Sequence, residues 1–131
     1  MAFDGVLLSN VINELKSTII DGRIDKIYQP EKDEIILTVR NKGQNLKILL
    51  SATANNPRLH ITAINKLNPV SPPMFCMVLR KHILNGRITD VAQPSFERIA
   101  EISIESMDEL GELSVKKLII EIMGKHSNII L

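Results

Sequence analysis

Between residues 23 and 62 the sequence breaks into four short runs rich in β-branched and aliphatic residues, 23–29, 34–40, 45–51 and 58–62, a spacing that demands paired strands. Asn41-Lys42-Gly43-Gln44 supplies a tight turn between the second and third runs, so neighbours pair antiparallel. A second series follows at 87–93, 98–106, 114–123 and 127–131, with a turn over 107–111. An amphipathic helix precedes each series. In the first, Leu8, Val11, Ile12, Leu15 and Ile19 recur at helical spacing, Asp4 is the expected N-cap and Asp21-Gly22 the stop. In the second, Ser71 is the expected N-cap, Pro72 the first helical residue, and Phe75, Val78, Leu79, His82 and Ile83 the apolar stripe, with Asn85-Gly86 as its end. Pro69, Pro72 and Pro73 make the connection before it ordered rather than a domain boundary. The fold class is therefore α+β: a mainly antiparallel sheet or sandwich of about eight short strands with two helices, in one domain over residues 1–131. No internal repeat is evident. The apolar finish Asn128-Ile129-Ile130-Leu131 reads as that of an N-terminal domain excised from a longer multidomain protein.

Composition narrows the function classes. With 131 residues, 44% hydrophobic and 24% charged, the chain can bury a core, and its formal net charge of +1 is unlike a basic nucleic-acid arm. Aromatics are 3%, so base-stacking platforms cannot be numerous and any RNA contact must rest on backbone and charge. A single cysteine suits a reducing, cytoplasmic setting. The N-terminus lacks a basic region followed by an apolar core, and no apolar stretch approaches the roughly 20 residues of a bilayer span, so no membrane partner is expected.

Catalytic candidates are weak. Cys76 sits between Phe75 and Met77 at the start of a helix, where a thiol is most often an inert small hydrophobe. His60, His82 and His126 fall in three elements without ligand spacing, so no metal or cofactor is expected. Gly124-Lys125-His126-Ser127 resembles the end of a phosphate loop, but residue 119 is Ile where that loop needs Gly, and His126 stands where it needs a hydroxyl. The basic residues Arg80, Lys81, Arg87 and Arg98 are a better lead: sharing one edge of the sheet they would suit a phosphate backbone, while interleaved with Glu97 and Glu101 they read equally as a solvated face.

Longer strings are more specific. Phe3-Asp4-Gly5, Gly22-Arg23-Ile24 with Gln29-Pro30, Leu49-Leu50-Ser51-Ala52, Pro72-Pro73-Met74-Phe75-Cys76-Met77 with Leu79-Arg80-Lys81-His82-Ile83, and the run Glu121-Ile122-Met123-Gly124-Lys125-His126-Ser127-Asn128-Ile129 together resemble the NFACT family along nearly the whole chain. The resemblance implies a ribosome-associated quality-control factor. Its partners would be tRNA and the large ribosomal subunit carrying peptidyl-tRNA, and it would recruit alanyl-tRNA for C-terminal tailing of stalled chains, leaving peptide transfer to the ribosome. The family's Asp-Arg pair, tied to tRNA engagement, falls on Glu97-Arg98, with the carboxylate one methylene further out, and its N-terminal acid falls on Asp4. The expected RNA-binding residues are thus Arg98, Glu97, Arg80, Lys81 and Asp4. A fold similar to the N-terminal domain of formamidopyrimidine-DNA glycosylases is also implied, but Ala2 and Phe3 replace the proline amine and glutamate of those enzymes, so their chemistry is not. The competing class is a fibronectin-binding surface adhesin, after an older name used within the family.

Overall fold

The computed structural model describes residues 5–53, 56–94, 98–122 and 128–131. Helix α1 (Gly5–Thr18) leads into β1 (Arg23–Glu31), β2 (Glu34–Asn41), β3 (Gln44–Ser51) and β4 (Arg58–Thr62), and helix α2 (Met74–Ile83) into β5 (Arg87–Ala92), β6 (Ile99–Met107), β7 (Leu113–Glu121) and β8 (Asn128–Ile130). The strands form one antiparallel sheet in the order β4-β3-β2-β1-β5-β6-β7-β8. The α+β class and the eight strands stand as expected.

The elements form where the side-chain period demands. In β6, Ala100, Ile102, Ile104 and Ser106 alternate inward while Glu101, Ser103 and Glu105 stay half-exposed. On α1, Leu8, Ile12 and Leu15 are buried at helical spacing, and Ile19, just past its end, continues the buried stripe. The hairpin between β2 and β3 places Lys42 and Gly43 at φ 51° and 79°, the two positive angles of the tight turn that matches strand twist. One expectation fails at α2. The helix starts at Met74 with Pro73 in the N-cap position and no side-chain cap, rather than at Pro72 behind Ser71. A residue preceding proline is pushed out of helical geometry, so Pro72 cannot enter the helix ahead of Pro73.

The domain is also a repeat in structure, although none is evident in the sequence. Each half is a helix, a left-handed residue, a glycine and a four-strand meander. Asp21-Gly22-Arg23-Ile24 returns as Asn85-Gly86-Arg87-Ile88, with φ 71° at Asp21 and 66° at Asn85. Both halves skip one residue in register directly afterwards, between Ile24 and Lys26 and between Ile88 and Asp90. In each, a side chain on the second strand caps the helix: Asn41 Nδ2 donates to Thr18 O (2.8 Å), and Ser106 Oγ to His82 O (2.6 Å).

The halves join by reciprocal bonds, as an isologous interface within one chain. Asp21 N donates to Ile88 O (2.7 Å) and Asn85 N to Ile24 O (2.8 Å), while Ile24 N donates to Gly86 O and Ile88 N to Gly22 O, both at 2.9 Å. The register pairing between β1 and β5 is the single step Arg23–Arg87 on the pseudo-two-fold axis. Each helix packs on the first strand of the other half, α1 on β5 and α2 on β1, so the two meanders share one core. The change in side-chain period from about 3.6 to 2 marks helices and strands well, whereas a repeat carried by four residues and by backbone geometry leaves little trace in letters.

Candidate nucleic-acid interface

Arg80 emerges from the last turn of α2 and turns toward β1. Beyond Arg23 that strand has no further register partner on β5, and the Ile27 carbonyl lies within reach of the helix. Arg80 satisfies it with two bonds, from Nε at 2.9 Å and Nη2 at 2.7 Å, and Cys76 Sγ lies 3.6 Å from the same oxygen. The guanidinium lies 5.9 Å from the centroid of the Tyr28 ring. Arg80 is thus a clasp between α2 and β1. Burial pushes the Cys76 thiol up from its ordinary range, and the nearby Arg80 charge offsets only part of that.

Lys81, the next residue, is exposed and pairs with Glu109 at 2.9 Å; that hydrogen bond and the ammonium charge hold the Glu109 carboxyl below the usual carboxylate range. Arg87 reaches Asp21 at 2.6 Å and Glu105 at 3.6 Å. Arg98 precedes β6, is exposed, and receives a bond from Ile122 N on its carbonyl (2.7 Å). Its guanidinium forms no hydrogen bond or ion pair with another described residue. Glu97 and Asp4 lie outside the described residues.

These positions correct the expected shared edge. Arg87 pairs across from Glu105, seven residues along β6 from Arg98, a separation of about 23 Å at the usual rise per strand residue. The reason is antiparallel pairing: β5 carries the chain away from the α2 terminus, so the start of β6 lies at the far end. Lys81 and Arg87 therefore mark one end of the molecule and Arg98 the other.

At the Arg98 end, a cleft of about 300 Å³ is lined by residues that include Gln29, Lys32, Phe75 and Asn128. Gln29 is 6% exposed; its amide nitrogen donates to Lys32 O (2.9 Å) while its carbonyl oxygen has no partner. A second basic surface escaped the sequence reading. Lys26 on β1, Lys47 on β3 and Lys66 in the connection after β4 converge on a groove of about 350 Å³ over the outer face of the first meander. Lys26 and Lys47 lie in one row across the strands, each opposite Thr38 on β2. That period-2 signal was present in the sequence, but nothing there indicated that residues 64–68 fold back over the same face.

Comparison with known proteins then decides the family. Residues 4–131 match the family described as NFACT N-terminal and middle domains. The chain belongs to the NFACT family. It is 50% identical over all 131 residues to a Bacillus subtilis protein named Rqc2 homolog RqcH and 41% identical to the Streptococcus pneumoniae protein of that name. It spans about a quarter of those relatives, 23% and 24% of their lengths. Among solved structures, this NFACT chain superposes with a TM-score of 0.94 and 41% identity on the N-terminal domain of fibronectin-binding protein PavA from Streptococcus pneumoniae, covering 98% of this chain and 48% of that one. The fibrinogen binding protein from Staphylococcus aureus matches with a TM-score of 0.88 and 40% identity, over 98% of this chain and 46% of that one.

Proposed function

We propose that this domain is the tRNA- and large-subunit-binding module of a ribosome-associated quality-control factor. The longer protein holds a separated large subunit carrying peptidyl-tRNA and brings alanyl-tRNA to it for C-terminal tailing of the stalled chain. The domain's part is binding and positioning, in the cytoplasm and on the ribosome. The observation that carries this reading is the 50% identity, spanning the whole chain, to a protein named as an Rqc2 homolog. The chemistry of Arg98 supports it: an exposed guanidinium with no described partner can give a phosphate or sugar edge a bidentate contact at no cost to an existing ion pair. Arg80 and Lys81 serve less directly, since one is committed to Ile27 and the other to Glu109. The assignment extends to Glu97 and Asp4 by their match to the family's acids.

The test is recruitment of tRNA to obstructed large subunits by the full-length protein. Arg98→Ala is expected to lower tRNA recovered with the subunits by roughly tenfold, the scale of one charge-assisted contact. Recovery at the wild-type level removes Arg98 from the site. The names of the solved relatives favour a second reading, a fibronectin-binding surface adhesin. Fractionation of cells separates the two: sedimentation with free large subunits supports quality control, and surface-exposed, ribosome-free protein that binds fibronectin supports adhesion.

A further inference from the structure

The groove over the first meander has the composition of an anion site. Its lining holds three lysines and no carboxylate. Lys66 is neutralised by Glu34, which is 3% exposed and bonds it at 2.5 Å, and the Lys47 ammonium is steadied by the Asn65 carboxamide oxygen. Lys26 has no hydrogen-bond or ion-pair partner among the described residues. Two uncompensated ammonium groups therefore face one concavity in a chain whose formal net charge is only +1.

The pseudo-two-fold repeat shows that the scaffold does not require this arrangement. On the second meander the positions matching Lys26, Tyr28 and Ile36 hold Asp90, Ala92 and Glu101. The match to Lys47 is Lys117, which pairs with Glu101 at 3.4 Å. One outer face is charge-balanced; the other is cationic, contains the chain's single tyrosine, and is roofed by residues 64–68. That roof is held by the chain's own contacts. Lys66 and Arg58 tie it and β4 to the buried Glu34, and Thr62 Oγ1 accepts from Ile64 N at 3.1 Å.

We propose that this groove is a second RNA contact, holding the phosphodiester backbone of an unpaired RNA segment, with Lys26 and Lys47 on phosphates and the Asn65 and Asn68 carboxamides facing ribose and base edges. The proposal rests on the RNA-binding reading above and adds a surface to it. Lys26 and Lys47 stand two strands apart, about 10 Å between backbones, so their long side chains straddle one phosphate or hold two neighbouring ones. The carboxamides offer both donors and acceptors, as ribose hydroxyls and unpaired base edges require. A groove of about 350 Å³ holds a short stretch of single strand and is too small to admit a duplex.

Fluorescence anisotropy on the full-length protein tests this with two probes, a short labelled oligouridylate and a labelled tRNA, titrated at several salt concentrations. Lys26→Glu and Lys47→Glu are each expected to weaken oligouridylate binding by roughly tenfold and to flatten the slope of log affinity against log salt by about 0.7. Lys117→Glu makes the same change in net charge at the matching position of the other half and is expected to leave both readings near wild type. Equal effects of Lys117→Glu and Lys47→Glu would overturn the groove in favour of general electrostatics. If Arg98→Ala weakens tRNA binding while both groove variants bind oligouridylate as wild type does, the groove is refuted and the RNA-binding reading survives. If the wild-type protein binds neither probe, both fall.

Discussion

Arg80 shows how a side chain's partner decides its meaning. As a letter near the end of a helix it is one of several cations suited to phosphate. In the folded chain it closes the open edge of β1, and its carbonyl partner comes from a residue 53 positions earlier, a distance no local pattern can signal. Arg80→Ala leaves the Ile27 oxygen with only the weak Cys76 thiol donor and uncovers Tyr28, so a loss of about 1.5–3 kcal/mol is expected in chemical denaturation, larger than any change from Lys81→Ala, whose salt bridge is exposed. Cys76 was legible because a thiol between apolar neighbours at core spacing has little else to do. Its burial raises the folded pKa above the ordinary 9.0, so the folded state keeps its proton when the unfolded state loses it. Stability from this group is complete below pH 9.0 and declines as pH rises from there through the folded pKa. The thiol should resist a disulfide reagent at pH 8 in buffer and react promptly in denaturant; fast reaction in buffer would contradict its burial.

At the level of elements, strand and helix positions were readable because alternation, helical spacing and turn residues agree along most of the chain. Ser71 misled because the cap rule competes with the steric rule for consecutive prolines, and sterics wins. The two joint glycines were readable only as helix stops, yet they do more. A Cβ at Gly22 would meet Val39 Cγ1 at 2.5 Å and Ile19 O at 2.8 Å, and one at Gly86 would meet Ile104 Cγ2 at 2.6 Å and Ile83 O at 3.0 Å. Gly22→Ala and Gly86→Ala should each cost about 1–3 kcal/mol by overpacking. Gly43→Ala, with open space around the Cβ but φ 79°, should cost about 1 kcal/mol from backbone strain alone. Thermal melts of the three variants check the order.

At the scale of the whole molecule, each helix covers the other half's first strand, so neither meander owns a complete core. A fragment ending at residue 70 should be unfolded when dilute or paired as a two-fold dimer when concentrated; a folded monomer in sedimentation and circular dichroism would contradict that interlock. Of the candidate site, the sequence offered Arg98 twice, among the basic residues and through the family resemblance, while the separation of Arg98 from Lys81 and Arg87 depends on which way β5 runs, and the lysine groove on a connection folding back over a face. The sheet's outer margin has a further consequence. Among the described residues, β8 covers only Ile119, Ile120 and Glu121, which leaves the first two-thirds of β7 without a neighbour on that side. Bare backbone with Leu113 and Val115 exposed beside it is a template for sideways aggregation. Lys116 and Lys117 stand in that stretch as gatekeepers, so their joint replacement by Val should increase self-association through this margin relative to the wild type, a change that light scattering would register.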